Sequence, residues 1–407
     1  MLLSKRAQNI HPSPTLAIDA KAKSLKKQGI DVIGFGAGEP DFDTPDNIKQ
    51  AAVEAINHGF TKYCPSGGTP ELKKAIIEKF KKDQQIEYQL NEVVVSCGAK
   101  HSLYNIFQAI VDRGDEVVII SPYWVSYPEM VMLAGGKPRI IKTKDTNGFR
   151  VMPEQLEKAI NEKTKAVIIN SPSNPTGVAY SREELKGIAE VLKNHNLTIV
   201  SDEIYEKLTF GDFEFSSIAQ ISEELKQKTI IVNGVSKTYS MTGWRIGYCA
   251  GNPEVIKAIT DIQSQSTSNP TSIALKAAEE ALNGPQESVE MMRQEFEKRR
   301  DYIYQRLNNI KGIKCSLPQG SFYVFPKISK LFGKQYDDKT ITSSSDLAEY
   351  LLEKAKVAVV PGDGFGADDY IRISFATSTE NITKGLDRIE EAVSKLSQRK
   401  TSDSLAG

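Results

Sequence analysis

The chain is poor in cysteine and histidine and has no excess of charge of either sign. Its four cysteines, Cys64, Cys97, Cys249 and Cys315, are far apart and form no CxxC pair, which argues against a disulfide framework and a cysteine-paired zinc site. The four histidines are equally dispersed, and none belongs to an HExxH pair. Lysine plus arginine and aspartate plus glutamate number 52 each, so no net field favours nucleic acid or an anionic membrane. We therefore expect neither a DNA-binding protein nor a metal site.

Long apolar runs are also absent from the sequence. No segment approaches the roughly 20 apolar residues that a transmembrane helix needs. The charged N-terminal residues 1–6 are not followed by the apolar region of a signal peptide. We therefore expect a soluble protein of the reducing cytoplasm, without a membrane partner. A length of 407 residues is long for one small domain and favours a two-domain enzyme.

Short, β-branched apolar runs alternate with helical patterns along the first two thirds of the chain. Continuous runs of this kind are typical of strands that are covered by helices on both faces. The runs are residues 93–95, 117–120, 166–169, 198–200 and 229–232. Helical patterns between them include residues 100–112, 153–161 and 182–194. The alternation predicts an α/β domain with a largely parallel sheet.

The last third of the chain has a different pattern. Residues 284–307 are charged and favour a helix, which predicts one long helix that leaves the first domain. Apolar runs then follow at 322–325, 357–360 and 370–374, before a final helical pattern near 382–396. These elements predict a smaller second domain, and we expect the first thirty or so residues to join it.

One segment carries most of the chemical information. Residues 236–248, SKTYSMTGWRIGY, follow the last β-branched run of the first domain and a turn at 233–234. A lysine in this setting suits a cofactor that offers both an aldehyde and a phosphate. Lys237 would form a Schiff base with the aldehyde, and Ser236 and Arg245 would contact the phosphate. The alternative is that Lys237 is an ordinary solvated lysine of a loop.

Other polar motifs follow other predicted strands. Ligands collect at the carboxyl ends of parallel strands, so these motifs are expected to share one site. Residues 97–100 form a glycine turn that opens a helix, whose free N–H groups can hold a phosphate. Asn174 lies in a proline-rich turn, for which an ordinary structural turn is the alternative. Asp202 ends a strand and can keep a pyridine nitrogen protonated, with Tyr205 within reach of a phenolic oxygen of the ring. A helix N-cap is the alternative for Asp202.

Two weaker patterns do not support a site. The glycines of residues 34–38 resemble part of a dinucleotide-binding loop, but no acidic residue ends a second strand at the required distance. The basic run at residues 21–27 alternates with apolar residues and is interpreted as the solvated face of a helix.

Together the motifs resemble the class I pyridoxal-phosphate aminotransferases of fold type I, and among them the bacterial subgroup Ib of aspartate aminotransferases. The resemblance covers residues 4–395. The matching pieces are AGEPDF (37–42), Tyr63, PYWVSY (122–127), NPTG (174–177), DEIY (202–205), the Lys237 segment and Arg372. It implies a large cofactor-binding domain over residues 45–290, with a mostly parallel seven-stranded sheet. A smaller α+β domain would combine residues 1–44 and 291–407.

The resemblance also implies a role for each matching residue. Lys237 would be the Schiff-base lysine, Asp202 the partner of the pyridine nitrogen, and Tyr205 the partner of the phenolic oxygen. The residues that would complete the pyridoxal-phosphate site are Ala99, Lys100, Trp124, Asn174, Ser236 and Arg245, joined by Tyr63 from the other subunit of a homodimer. The residues that would bind substrate are Gly38, Trp124, Asn174 and Arg372, with Lys100 and Thr15 at a distal carboxylate. No metal is implied.

The implied reaction is a ping-pong transfer of the amino group between L-aspartate and 2-oxoglutarate. Members that also accept prephenate usually carry lysine or arginine directly before a Pro-Ser pair, where this chain has His11. This departure argues against prephenate as a substrate. An aromatic or alanine aminotransferase and a carbon–sulfur lyase remain alternatives on the same scaffold. A non-enzymatic ligand sensor would need a DNA-binding module, for which the chain offers no basic segment.

Overall fold

The computed structural model describes residues 2–12 and 14–397. Helices and strands alternate along them as the sequence predicts. In chain order the helices are α1 (Lys5–Gln8), α2 (Pro14–Lys27), α3 (Asp46–Asn57), α4 (Pro70–Gln84), α5 (Ala99–Ile110), α6 (Ser126–Leu133), α7 (Pro153–Ala159), α8 (Arg182–Leu192), α9 (Glu223–Lys228), α10 (Pro253–Ser266), α11 (Ser272–Asn283), α12 (Glu287–Asn309), α13 (Ser344–Tyr350) and α14 (Thr379–Ser394). The long helix predicted over 284–307 is α12, which begins only after Pro285.

The strands form one large sheet and several small ones. They are β1 (Ile33–Gly34), β2 (Val93–Ser96), β3 (Glu116–Ser121), β4 (Lys137–Lys142), β5 (Thr164–Asn170), β6 (Thr198–Asp202), β7 (Thr229–Gly234), β8 (Gly247–Ala250), β9 (Tyr323–Val324), β10 (Gln335–Tyr336), β11 (Lys339–Thr340), β12 (Val357–Ala358), β13 (Val360–Pro361) and β14 (Ile371–Ser374). The large sheet has seven strands in the order β2-β8-β7-β6-β5-β3-β4 within the described residues. Its strands run parallel except β8, which is antiparallel to both of its neighbours. The predicted α/β class with a mostly parallel seven-stranded sheet is confirmed.

Both faces of the large sheet are buried, which explains the continuous apolar runs. Val117 and Ile119 of β3 belong to the apolar cluster that contains Leu103 of α5. Val118, between them, belongs to the cluster on the opposite face, with Leu185 of α8. Successive side chains of a strand point to opposite faces, so a doubly covered strand must be apolar throughout.

Two strands of the large sheet escaped the sequence analysis. Strand β4 lies at the edge of the sheet, and most of its KPRIIK side chains are partly or fully exposed, so it lacks an apolar run. Strand β8, GYCA, is fully buried but contains no β-branched residue. Both therefore lack the signal by which the other strands were found.

A second sheet lies near the C-terminus, in the antiparallel order β13-β14-β9. The run predicted at 357–360 is split between two sheets, because β12 pairs in parallel with β1 while β13 pairs with β14. The pairing of β1 with β12, and the packing of α2 against β12 and β13, place the N-terminal segment beside these C-terminal strands. The domain boundaries at residues 45 and 290 stay a prediction, and residues 398–407 lie outside the described part.

The fold brings several strand ends to one edge of the large sheet. The carboxyl ends of β5, β6 and β7 meet there, together with the start of α5 and residues of β14. Within the described ranges, no helix is long and apolar enough to cross a membrane.

Candidate active site

A cavity of about 220 Å³ lies at this edge, which is room for a small organic ligand and not only for a water molecule. Of the residues predicted for the site, those that line the cavity are Thr15, Gly38, Ala99, Lys100, Trp124, Asn174, Asp202, Tyr205, Ser236, Lys237, Arg245 and Arg372. Tyr63 lies outside this lining, with 92% of its surface exposed. The cavity is thus lined by all the predicted site residues except Tyr63, which was assigned to the site of the other subunit.

Lys237 follows strand β7 in a tight turn and points into the cavity. Its Nζ donates a hydrogen bond to the backbone oxygen of Gly38 at 2.5 Å. Burial lowers the pKa of the lysine to about 8, against an opposing effect of the Glu39 carboxylate. A substantial fraction of this amine is therefore neutral and nucleophilic near physiological pH. The alternative of a solvated loop lysine does not fit this position.

Asp202 ends strand β6 and is only 4% exposed. Burial raises the pKa of its carboxyl to about 6, while the hydroxyl of Tyr127, which donates to Oδ2 at 2.6 Å, acts in the opposite direction. The backbone N–H of Ile204 donates to Oδ1 at 3.3 Å, as in a cap, but residues 204–207 form turns. The helix-cap alternative is therefore wrong, because the capped element is a turn.

Tyr127 is a site residue that the sequence analysis did not identify. It is 2% exposed, and its ring packs edge-on against Trp124 with a centroid distance of 5.4 Å. Tyr127 therefore contacts both the carboxylate and the indole of the cavity. It was visible only as part of the PYWVSY motif, in which nothing distinguishes its role from that of Tyr123.

One end of the cavity is built to hold an anion. Helix α5 begins at Ala99, so its first backbone N–H groups are free to donate. Gly98 has φ +90°, and a Cβ there would collide with the guanidinium of Arg245. Glycine therefore lets Arg245 lie close to the helix start, beside the buried Ser236. An arginine, a hydroxyl and a helix N-terminus together fit a phosphate.

A buried arginine lies elsewhere in the cavity wall. Arg372 is 1% exposed, and it donates to Asn174 Oδ1 at 2.9 Å and to the backbone oxygen of Gly36 at 2.8 Å. Its guanidinium lies 4.4 Å from the ring centroid of Tyr323 and 5.2 Å from that of Phe365. Its buried Nε has no hydrogen-bond partner in the described chain, and no carboxylate there pairs with it. A buried cation without a counter-ion is costly, so the site favours an anionic ligand.

Tyr205 and Tyr323 form a hydroxyl pair in the same wall. Their oxygens are 3.0 Å apart, and both rings are buried. Burial raises the pKa of Tyr205 far above its ordinary value, which keeps the hydroxyl protonated and able to donate. Tyr323 was not predicted from the sequence, because it belongs to a strand with no other polar signal.

The remaining predicted residues line the cavity near the start of α5. The Nζ of Lys100 lies 4.8 Å from the ring centroid of Trp124, and burial lowers the pKa of this lysine. The hydroxyl of Thr15, on α2, is buried without a partner among residues that the structure describes. A cation and an unsatisfied hydroxyl are groups that would bind a second carboxylate.

These groups fit pyridoxal phosphate. The cavity combines an amine, a buried carboxylate, a tyrosine hydroxyl, an aromatic ring and an anion-binding helix start. They correspond to the aldehyde, the pyridine nitrogen, the phenolic oxygen, the ring face and the phosphate of that cofactor. Over the ranges described, no cluster of three or more histidine, cysteine or acidic side chains could hold a metal ion.

The chain is similar to known proteins over nearly its whole length. The family model for class I and II aminotransferases matches residues 30–389. The chain is 56% identical over 392 residues to an aspartate aminotransferase of Bacillus sp. (strain YM-2), with 96% of this chain and 99% of that protein covered. It is 52% identical over 398 residues to a probable aspartate/prephenate aminotransferase of Rickettsia felis, with 97% of each covered. The crystal structure of the aspartate aminotransferase from Rhizobium meliloti has a TM-score of 0.94 and 46% identity, covering 98% of this chain and 100% of that one.

Proposed function

The chain belongs to the class I and II aminotransferases, which depend on pyridoxal phosphate, and from this premise we propose that it transfers the amino group between L-aspartate and 2-oxoglutarate. The proposal rests mainly on one observation: the same cavity is lined by the amine of Lys237 and by the buried guanidinium of Arg372, which has no counter-ion among the described residues. An α-amino acid substrate needs both groups, one for its Cα chemistry and one for its carboxylate.

When bound, pyridoxal phosphate supplies an aldehyde that bonds to amines and a ring that withdraws electrons from the substrate's Cα. Lys237 would hold the cofactor, and its free amine would act as the general base for the Cα proton, for which a pKa of about 8 is well placed. Asp202 would keep a proton on the ring nitrogen. Tyr127 orients the Asp202 carboxylate and stabilises its charge through the 2.6 Å hydrogen bond.

The substrate is held by groups that converge on the amine. Arg372, Asn174 and the backbone of Gly38 bind the α-carboxylate, which satisfies the unpaired Nε of the arginine. The aromatic rings of Tyr323 and Phe365 beside the guanidinium exclude water and strengthen this charge-assisted contact. Orientation of the Cα–H bond follows from fixing the carboxylate relative to Lys237.

Aspartate specificity depends on a second anion site. Lys100 and Thr15 bind the distal carboxylate of the dicarboxylate substrate, which pairs the lysine charge and satisfies the buried hydroxyl. The names of the relatives support this choice of substrate.

We extend the proposal to the assembly and setting of the enzyme. The active unit is a homodimer in the cytoplasm, in which the exposed Tyr63 reaches the phosphate of the other subunit's site. Each subunit consists of a large domain over residues 45–290 and a small domain formed by residues 1–44 and 291–407. Sedimentation of the holoenzyme, with Tyr63→Phe as the test of the shared site, distinguishes this from a self-sufficient monomer.

A panel of amino donors with 2-oxoglutarate tests the function. We expect aspartate to be the preferred donor, with stoichiometric oxaloacetate and glutamate as products. A carbon–sulfur lyase would instead release pyruvate and ammonia from cysteine-type substrates without an oxo-acid acceptor. Prephenate is tested as an acceptor in the same panel, because the Rickettsia felis relative is named for it. His11, the residue that argues against this substrate, contacts Glu129 at 3.4 Å and lies outside the cavity lining.

A further inference from the structure

The segment that carries Gly38 has no regular secondary structure, yet it is held at several points. Residues 38–44 connect the strand β1 region to helix α3, and we call them the 38–44 segment. At its first residue, the Gly38 oxygen accepts from Lys237. A Cβ at Gly38 would lie only 2.7 Å from the hydroxyl of Tyr323, so the segment passes close to the cavity wall. Any shift of this segment moves a wall of the substrate site.

The far end of the segment is tied to the loop that follows Lys237. The hydroxyl of Thr44 donates to the backbone oxygen of Ser240 at 2.7 Å and accepts from the Trp244 indole at 2.9 Å. Glu39 accepts from the hydroxyl of Thr242 at 2.9 Å. These neutral or exposed contacts fix the two ends of the segment relative to the cofactor loop and leave its middle to another element.

The middle of the segment is held by a buried arginine on α12. Arg299 is 6% exposed, and its Nη1 donates to Asp41 Oδ1 at 2.7 Å. Its guanidinium lies 5.1 Å from the ring centroid of Phe42 and 5.6 Å from that of Phe296, and the two rings pack edge-on at 5.4 Å. Arg299 also donates to Glu295 at 3.1 Å, so its charge stays compensated if Asp41 is lost.

We propose that Arg299 is a positioning residue for substrate binding. It binds Asp41 by a hydrogen bond and packs on the ring of Phe42, and these contacts fix the backbone of Gly38. The role of Gly38 in substrate binding rests on the proposed function, but the contacts of Arg299 with Asp41 and Phe42 do not depend on it. Arg299 lies outside the cavity lining, and its described hydrogen bonds go to Asp41 and Glu295, not to Lys237 or the anion-binding helix start. Its effect is therefore on substrate affinity and not on the holding of the cofactor.

The variant Asp41→Asn tests the proposal, because it removes one charge and keeps the side-chain shape. We expect KM for aspartate to rise by up to about tenfold, because the worth of the charge-assisted hydrogen bond between Arg299 and Asp41 limits the effect that reaches the substrate. We expect kcat to change by less than about threefold, since no group that touches the reacting atoms is altered. The affinity of the apoprotein for pyridoxal phosphate should stay unchanged. Hydrogen–deuterium exchange of the 38–44 segment should accelerate.

The matched control is Glu295→Gln, which removes the other carboxylate of Arg299 without touching the segment. It should leave KM and the exchange of the 38–44 segment as in the wild type. Arg299→Lys keeps the charge but loses the planar stacking, and it should give a smaller rise in KM than Asp41→Asn. Arg299→Ala would leave a cavity beside the buried ring of Phe296 and would therefore lower stability as well as substrate affinity.

Three results overturn the proposal. An unchanged KM and an unchanged exchange rate in Asp41→Asn would show that the contact between Arg299 and Asp41 does not fix the 38–44 segment. An equal KM shift in Glu295→Gln would show that any disturbance of Arg299 has the same effect. Parallel losses of kcat, substrate affinity and cofactor affinity would show general damage to the fold. If the proposed function is wrong, the wild-type protein will not transaminate aspartate. In that case the exchange rates of the 38–44 segment in Asp41→Asn and in the wild type still show whether Arg299 fixes the segment.

Discussion

Asp202 and Glu203 are neighbours in the sequence, both are buried, and they serve two different regions of the molecule. Asp202 faces the cavity, where Arg372 lies without a carboxylate partner among the residues described, and Lys237 feels the Glu39 carboxylate. Glu203 faces away from it. Its carboxylate accepts from Ser201 at 2.8 Å, from Ser217 at 2.5 Å and from Gln84 at 2.9 Å.

The second region is a buried polar network. Gln84 also donates to Glu206 at 2.6 Å, and Glu206 forms an ion pair with Lys79. Burial raises the pKa of Glu203 to about 7, just as it raises that of Asp202 to about 6. A perturbed pKa therefore does not distinguish the two carboxyls. The distinction is that the Glu203 carboxylate accepts hydrogen bonds from three described side chains, whereas the cavity around Asp202 leaves the Nε of Arg372 without a hydrogen-bond partner among the described residues.

The largest loss of activity is expected from Lys237→Ala, a change in the cavity region. Removal of the amine leaves no general base, so turnover should fall to background while the protein still folds and retains cofactor noncovalently. Steady-state transamination and circular dichroism measure the two properties. Turnover near the wild-type rate would show that the lysine has been assigned wrongly.

The second change is Asp202→Asn, which neutralises the carboxyl facing the cavity. The ring nitrogen should lose its proton, and kcat should fall on the order of 10²–10³-fold, the scale for one electrostatic group in a buried site. Cofactor affinity should fall less than kcat. A variant as fast as the wild type would mean that Asp202, like Glu203, only satisfies its own surroundings.

The third change, Lys100→Ala, separates the two anion sites within the cavity. Loss of a charge-assisted hydrogen bond should reduce kcat/KM for aspartate roughly tenfold to a hundredfold, with a much smaller loss for alanine or an aromatic amino acid. Both substrate classes are measured with the same enzyme preparation. A uniform loss for all substrates would place Lys100 at the cofactor phosphate and remove it from the recognition of aspartate.

The smallest effect on activity is expected from Glu203→Gln, the matched partner of Asp202→Asn. Its kcat/KM should stay within about threefold of the wild type. The pKa of Glu203 is raised on folding, so the contribution of the carboxyl to stability is present at low pH and is lost as the pH rises through about 7. The stability of the variant relative to the wild type should therefore increase between about pH 5 and pH 8. Urea titrations at several pH values test this, and a large loss of activity would contradict the separation of the two regions.

Much of this arrangement was predictable from the sequence because it depends on local patterns. The β-branched runs located β5, β6 and β7, and the polar residues that follow them then had to share one edge of the sheet. The strands β4 and β8 were missed because one is a polar edge strand and the other lacks β-branched residues.

The supporting contacts of the site were not predictable. Tyr127 reaches Asp202 across 75 positions of sequence, Tyr323 reaches Tyr205 across 118, and Arg299 reaches Asp41 across 258. Each of these residues has an apolar or helical setting that suggests only packing. Their partners depend on how separate elements pack, which no local pattern records.

We propose above all that Lys237 holds the cofactor in the cavity at the carboxyl edge of the large sheet. Borohydride reduction of the protein incubated with pyridoxal phosphate, followed by peptide mass spectrometry, tests it most directly. We expect one phosphopyridoxyl group per chain, on Lys237, with none on Lys100 or other lysines. A modified lysine elsewhere, or no stable adduct at all, would contradict it.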